Sequence, residues 1–280
     1  MVRHDFPERF IPYPRVTSRT HRLVTAGCAD RSRILRAIIV ALALAAGPTQ
    51  AEGTLPDNLV YLRDVDPTIV QDIRYASSNN FVGRPLDGYE AAECILRRDV
   101  ATALAQVQKD LVASGLGLKV YDCYRPTRAV RTMALWANDG RPGGATKRFY
   151  PKLQKSTLFG SGYIASRSAH SSGTAIDLTL VDRSPAQVAP FDPAASYGQC
   201  TGPVEARSPD NSLDMGTGYD CFDATSSTWS GGISAEQHRR RVDLVSAMRR
   251  RGFSNYHREW WHFSYGVPYA YYDVPIRARR

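Results

Sequence analysis

Two short stretches of this chain decide its fold: SAHSSGTAID at residues 168–177 and EWWH at residues 259–262. His170 and Asp177 are seven residues apart, so on one uninterrupted strand their side chains would point to opposite faces. The turn-forming Ser-Ser-Gly between them predicts that His170 folds back over the strand that carries Asp177. In the second stretch, Glu259 precedes an aromatic run typical of a strand, so we expect Glu259 in the bend just before that strand.

Together the two stretches supply the groups that a catalytic zinc needs, namely three protein ligands and a nearby base. Each stretch alone has a more common explanation: a structural His–Asp hydrogen bond for the first, and an aromatic core strand with a surface glutamate for the second. Their coincidence in one chain favours a shared metal site on His170, Asp177 and His262, with Glu259 as the base. Two other histidines are weaker candidates because neither has a second ligand at a useful spacing: His238 and His257.

The flanking sequence predicts an α+β domain. Helical spacing of apolar residues predicts three helices, at 97–114, 127–137 and 234–251, the last with a capping box. Strands are predicted at 118–124, 175–181 and 261–265. In the central strand Ile176 and Leu178 face one side, so we expect Asp177 on the other face, open to a cleft. The pattern predicts a single domain with a small, mostly antiparallel sheet flanked by helices, and a long loop between Pro185 and Gly232.

A third segment with chemical potential ends the first of these predicted strands. Arg125 stands where the strand ends, and Pro126 forces a turn after it. A fixed guanidinium there could stabilise the oxyanion of a tetrahedral intermediate or pair with a substrate carboxylate. A surface salt bridge is the alternative role for this arginine.

The N-terminal 51 residues have the pattern of a secretory signal. Three arginines precede a ten-residue apolar run at 37–46, and small residues follow at the positions that a signal peptidase reads. The run is short for a membrane span, although an uncleaved anchor and a start codon near Val24 are alternatives. We predict an exported, periplasmic protein with a mature domain at 52–280 and no stable membrane association. The mature part keeps a surplus of only four positive charges, which does not indicate nucleic-acid binding.

Four cysteines remain after the predicted cleavage: Cys94, Cys123, Cys200 and Cys221. An even number in an exported protein indicates disulfides, and four cysteines allow three pairings. We favour Cys94–Cys123 with Cys200–Cys221, because the second pair brackets one loop-like stretch. A four-thiolate zinc site is a weaker alternative because the chain has no CxxC spacing.

These motifs resemble those of the zinc D-alanyl-D-alanine dipeptidases of the VanX type, within a wider group of D-Ala-D-Ala peptidases and hedgehog-like domains. The resemblance rests on SxHxxGxAxD and EWWH, and further segments extend it over residues 57–275: DIRYA at 72–76, NFxG at 80–83, YDxYRP at 121–126 and DMGTGYD at 214–220. It implies a hedgehog-like fold and one Zn²⁺ per chain.

The resemblance also implies a role for each site residue. The zinc ligands fall on His170, Asp177 and His262, the catalytic base on Glu259, and the transition-state arginine on Arg125. Substrate contacts fall on Ser168, Tyr124 and Asp214, with the Asp214 region recognising the free amino group.

Three functions are compatible with this sequence. The first is hydrolysis of the free D-alanyl-D-alanine dipeptide. The second is a D,D-carboxypeptidase or murein peptidase acting on peptidoglycan stems of the cell wall. The third is a metal-binding module without turnover, against which an intact Glu259 and Arg125 argue. The sequence does not indicate an oligomeric state.

Overall fold

A five-stranded sheet lies at the centre of the computed structural model, which describes residues 54–184, 186–268 and 270–279. The strands in chain order are β1 (Leu59–Tyr61), β2 (Val70–Gln71), β3 (Ile95–Arg97), β4 (Leu116–Asp122), β5 (Ala175–Asp182), β6 (Phe253–Asn255) and β7 (His262–Tyr265). The central sheet has the order β2-β4-β5-β7-β6, and β1 pairs with β3 in a separate two-stranded ribbon. Only the β2–β4 pairing is parallel, so the α+β class with a mostly antiparallel sheet is confirmed.

Four helices flank these strands: α1 (Leu62–Val65), α2 (Arg98–Val112), α3 (Thr127–Ala137) and α4 (Ala235–Arg250). The predicted apolar stripe of α2 is buried, and α2 packs against β4 and α4. At the start of α4 the Ser234 and Gln237 side chains form the predicted capping box. All three predicted helices are therefore confirmed, while α1 is a four-residue turn too short to leave a periodic signal.

The strand predicted at 118–124 is displaced in the structure. β4 begins at Leu116 and its pairing with β5 shifts register between Val120 and Asp122. Beyond Asp122 the chain leaves the sheet, because the Tyr124 amide donates to the carbonyl of Ile95 in the ribbon. The segment that leads to Arg125 therefore bridges the ribbon and the central sheet.

The central strand β5 is buried on both faces, which differs from the expectation of one open face. Asp177 is 2% exposed and Thr179 is fully buried. The long loop covers this face, and the hydroxyl of its residue Tyr219 donates to Asp177 at 2.9 Å. Asp177 still lines a cleft, and it is the residue of β5 that does so. The cleft therefore lies at the N-terminal end of this strand.

The long loop between 185 and 232 has little regular structure of its own. Among its described residues it contains two short 3-10 turns, at Val204–Ala206 and Ala224–Ser226. Both favoured disulfides are present, and Cys200–Cys221 closes this loop on itself. The fully buried Arg241 of α4 then donates to three loop carbonyls, those of Met215, Thr225 and Ser227.

No helix in the described ranges is long and apolar enough to cross a membrane. The predicted signal sequence, with its alternatives of an anchor or a later start, lies outside the described residues. The described residues belong to one compact unit.

We expect Arg241→Met to destabilise the protein by about 3 kcal/mol or more, because it leaves buried loop carbonyls without a donor. Burial already lowers the pKa of Arg241 to about 10, and its partners are carbonyls rather than a carboxylate. Urea denaturation measures the effect. The exposed Arg239→Met on the same helix is the matched control, and an equal loss in both variants would contradict this role.

Candidate active site

Three side chains meet at one end of β5 in an arrangement that suits a metal ion. The distances between His170 Nε2, His262 Nδ1 and Asp177 Oδ1 are 3.2, 2.9 and 3.4 Å. Ligand atoms placed about 2.1 Å from one tetrahedral ion lie about 3.4 Å from each other, so the three atoms are close enough to share a single centre. In the part of the chain that the structure describes, this is the only such cluster of potential ligands.

The sheet register and a tight turn bring these ligands together. Asp177 of β5 and His262 of β7 are directly opposed across the two strands. His170 lies in a 3-10 turn at Ala169–Ser172, and Gly173 ends this turn with φ of +69°. A Cβ at this glycine would lie 2.7 Å from the Leu59 side chain, so both the backbone angle and the space require glycine. The predicted fold-back of His170 is therefore confirmed.

Hydrogen bonds behind the ligands fix their orientation. His170 Nδ1 lies 2.7 Å from the carbonyl oxygen of Cys123. Since a carbonyl can only accept, Nδ1 carries the proton and Nε2 keeps its lone pair for a metal. The Tyr219 hydroxyl donates to the other carboxylate oxygen of Asp177. Burial lowers the pKa of His262, which favours the neutral imidazole that ligates metals.

Glu259 lies in the bend before β7, as the sequence predicts. Its amide donates to the carbonyl of Tyr256, and its Oε2 is 4.0 Å from the Nδ1 of His262. The residue is buried, with 7% of its surface exposed. Burial and then the nearby Asp177 and Asp220 raise the pKa of Glu259 well above its ordinary value. A carboxyl with a raised pKa beside a metal site is suited to accept and return a proton.

Arg125 lines the same cleft, and the surface salt bridge that was its alternative role is wrong. Its guanidinium is buried, bonds to Asp122 at 2.7 Å and stacks over the Tyr75 ring at 4.9 Å. A second carboxylate oxygen, Oδ2 of Asp177, lies 3.7 Å away. Asp122 itself accepts from the Tyr89 hydroxyl at 2.6 Å, so Arg125 is held rigidly beside the ligand cluster.

Asp220 also faces the cleft, and sequence reasoning missed it. It is 4% exposed, accepts from the Tyr75 hydroxyl at 2.9 Å, and has φ of +55°. Burial and the charge of Asp177 raise its pKa well above the ordinary range. The segment DMGTGYD contains two aspartates, and its Gly-rich sequence has no periodicity that predicts which of them faces a cleft.

The structure does not bring Asp214, the aspartate of that segment predicted to contact substrate, into the cleft. Asp214 accepts from the Arg207 side chain, the Gly216 amide and the Gln237 side chain at 2.7–2.9 Å. It lines a separate cavity of about 40 Å³. Its carboxylate is thus bound by partners in the loop and in α4, and the prediction that Asp214 contacts the substrate is wrong.

The other two predicted substrate contacts differ in their outcome. Ser168 lines the cleft, and its hydroxyl accepts from the His170 amide at 3.3 Å. Tyr124 is fully buried and does not line the cleft. Its hydroxyl donates to the carbonyl of Val274 at 3.1 Å and accepts from the amide of the same residue at 2.9 Å. Tyr124 therefore anchors the C-terminal segment rather than a substrate. His238 and His257 are not part of the ligand cluster.

The cleft around these groups has a volume of about 690 Å³. The three potential ligands lie in its wall together with Glu259 and Asp220. Aromatic residues form much of the remaining wall: Phe81, Phe159, Tyr163, Phe222, Tyr256 and Trp261. Such a cleft has room for a small peptide.

Known proteins that match most of this chain are D-alanyl-D-alanine dipeptidases. The D-alanyl-D-alanine dipeptidase of Enterococcus faecium is 31% identical over 220 residues, which cover 78% of this chain and 97% of the relative. That of Streptomyces coelicolor is 33% identical over 73% of this chain and 91% of its own. A crystal structure of a vancomycin-resistance D,D-pentapeptidase in complex with Zn(II) matches 64% of this chain and 77% of its own chain at 13% identity, with a TM-score of 0.31.

The family model described as D-Ala-D-Ala dipeptidase, peptidase M15, matches residues 56–191 and 192–276, nearly the whole described chain. This chain belongs to the D-Ala-D-Ala dipeptidase family of M15 peptidases.

Proposed function

We propose that this protein is a zinc-dependent peptidase that hydrolyses D-alanyl-D-alanine to two molecules of D-alanine. The observation that carries the proposal is the ligand triad His170, Asp177 and His262, with Glu259 4.0 Å from one ligand atom. Two imidazoles and a carboxylate are a common zinc set, and three protein ligands leave a position open for catalysis. Membership of the dipeptidase family supports the choice of substrate.

Glu259 is the proton carrier in this mechanism. When bound, Zn²⁺ supplies a Lewis acid that activates water near neutral pH and polarises the scissile carbonyl. Glu259 lies on the cleft side of His262, where it can accept the proton of the attacking water. It then returns that proton to the amine of the leaving D-alanine, which cannot depart as an anion.

Arg125 stabilises the negative charge that develops on the carbonyl oxygen. Its guanidinium is already fixed by Asp122 and by the Tyr75 ring, so little reorganisation is needed as the charge forms. The same ion pair keeps the buried cation in place when no substrate is bound.

Asp220 binds the ammonium group of the free dipeptide. Asp177, Asp220 and Glu259 crowd one buried region, and their mutual repulsion makes added positive charge favourable there. A divalent ion and a substrate ammonium supply that charge. Asp220 is the carboxylate in this group that is neither a proposed ligand nor the base, so it is free for recognition.

A second candidate function is cleavage of peptidoglycan stems, as a D,D-carboxypeptidase or murein peptidase. The cleft shares Phe159, Ser166, Arg167 and Ser168 with a further groove of about 410 Å³, which is more room than a dipeptide fills. The buried Asp220 favours the first function, because a stem has no free ammonium next to its terminal D-alanine pair.

We also propose that the protein works outside the cytoplasm, in the periplasm, in cell-wall metabolism. Two disulfides support export, since such bonds persist in oxidising compartments. The signal-like pattern of residues 1–51 supports the same location.

Incubation of the zinc-loaded protein with three substrates tests the choice between the two functions. We expect release of D-alanine from D-Ala-D-Ala, and a kcat/KM at least about 100-fold lower for N-acetyl-D-Ala-D-Ala, because acetylation removes the ammonium that pairs with Asp220. A pentapeptide stem should behave like the acetylated compound. Equal rates on all three substrates would favour the carboxypeptidase function instead.

We expect Glu259→Gln to lower kcat by about three powers of ten while the zinc stoichiometry stays at one, because the amide cannot carry the proton. Activity assays together with metal analysis check both parts. The exposed Glu236→Gln on α4 is the control and should be indistinguishable from the wild type. Near-native activity of Glu259→Gln would show that the base has been assigned wrongly.

A further inference from the structure

The active-site cleft meets the second groove along the segment that precedes the metal ligand His170. Arg167 lines both cavities and is exposed. Its guanidinium lies 4.9 Å from the centre of the Tyr271 ring, which limits the directions that this long side chain can adopt. Asp220 lines the cleft but not the groove, whereas Arg167 lies where the two cavities meet.

The charge of Arg167 differs from that of the other arginines in these cavities. Arg125 is paired with Asp122, and Arg131 of the groove is paired with Asp273 at 2.9 Å. For Arg167, no carboxylate of the described residues lies within ion-pair distance. The cleft therefore presents one guanidinium that no protein carboxylate neutralises, next to Ser168 and three residues before a proposed metal ligand.

We propose that Arg167 is a specificity-determining residue that binds the C-terminal carboxylate of the substrate. This proposal rests on the proposed function, in which the leaving D-alanine has a free carboxylate. A guanidinium binds a carboxylate through two parallel hydrogen bonds, and stacking on Tyr271 reduces the entropy lost when it does so. With Asp220 at the ammonium, the zwitterionic dipeptide is held at both ends.

Equilibrium binding to zinc-loaded protein with the Glu259→Gln substitution tests this without turnover. We expect an added Arg167→Gln to weaken binding of D-Ala-D-Ala about 10- to 100-fold and to leave binding of its C-terminal carboxamide unchanged. Arg131→Gln in the same background is the matched control and should bind both compounds as before.

Two results would overturn the role of Arg167: unchanged affinity for D-Ala-D-Ala, or an equal loss for the acid and the carboxamide. A parent protein that binds neither compound would overturn it as well. Failure of the proposed function looks different, because wild-type protein would then bind the dipeptide with the expected preference for the acid but release no D-alanine.

A second feature, the Cys94–Cys123 disulfide, lies directly behind the metal site. Both cysteines are at most 1% exposed. The carbonyl of Cys123 is the group that accepts the Nδ1 proton of His170 at 2.7 Å. The position of this carbonyl therefore sets the direction of the Nε2 atom that faces the other ligands.

Backbone hydrogen bonds connect the same disulfide to the turn that carries His170. Next to Cys94, Ile95 accepts from the Tyr124 amide at 2.8 Å and the Arg97 amide donates to Gly173 at 3.0 Å. Beyond Cys123, the Arg125 amide donates to the His170 carbonyl at 3.2 Å. The disulfide and these hydrogen bonds thus join three segments of the chain, and two of the segments carry active-site groups, namely Arg125 and His170.

We infer that Cys94–Cys123 is a positioning element for metal binding, whereas Cys200–Cys221 serves the long loop. The chain supplies its own control, since the two disulfides close loops of similar length, with sequence separations of 29 and 21. Their loss should thus affect the unfolded chain to a similar extent. Only the first is joined through one carbonyl to a ligand.

Zinc dissociation constants, measured by competition with a chelator on the two paired-alanine variants, test this inference. We expect loss of Cys94 and Cys123 to weaken zinc binding about tenfold or more, and loss of Cys200 and Cys221, whose loop reaches Asp177 through the Tyr219 hydroxyl, to weaken it severalfold less. Urea denaturation of both variants measures the stability cost separately. If the first variant does not fold, Cys94→Val with Cys123→Ala retains more of the buried volume.

The inference is wrong if both variants bind zinc as the wild type does, or if both lose affinity in proportion to their loss of stability. It is also wrong if neither form of the first variant folds with zinc in excess, because the disulfide would then serve the fold itself.

Discussion

The pairing of β5 with β7 is the constraint on which the rest of this structure depends. It sets Asp177 directly opposite His262, and a slip of one residue would turn His262 to the other face of the sheet. The aromatic residues around His262 fix that register, since Trp261 and Phe263 are almost completely buried. The metal site is thus a product of core packing, and only the third ligand, His170, depends on a turn.

The site concentrates more negative charge than its surroundings can neutralise. Asp122 is matched by Arg125, but Asp177, Asp220 and Glu259 share one buried region. The pKa values of Asp220 and Glu259 are raised first by their burial and then by the charge of the nearby Asp177, which makes both carboxyls harder to ionise. A site of this kind favours cations, so one physical cause supports both the metal and the substrate ammonium of the proposed function.

The sequence predicts the parts of the fold that follow from local chemistry. The period of the apolar residues in α2, the capping box of α4 and the turn at Gly173 each leave a short-range signal, and each is confirmed. Glu259 was predictable because the bend before an aromatic strand is also local. The family resemblance placed Tyr124 and Asp214 at the substrate, and both are instead held by other parts of the protein.

These two failures share a physical reason. Whether a polar side chain faces a cleft depends on partners distant in sequence, such as Val274 for Tyr124 and Gln237 for Asp214. The buried position of Asp220 is non-local too, because its Tyr75 partner is 145 residues away. No periodicity in a Gly-rich segment encodes such a contact.

The segment 219–222 shows how an irregular loop can still hold functional groups accurately. Its four side chains alternate between support and function: Tyr219 bonds to Asp177, Asp220 and Phe222 line the cleft, and Cys221 anchors the segment through its disulfide. The left-handed backbone at Asp220 turns this side chain toward the cleft at a cost in strain, which the neighbouring contacts must offset. Tyr219 stacks on Tyr121 of β4 at 4.4 Å, so the loop is also fixed against the sheet. Groups that face the cleft therefore come from this irregular loop and from the turn that carries His170, as well as from the strands β5 and β7.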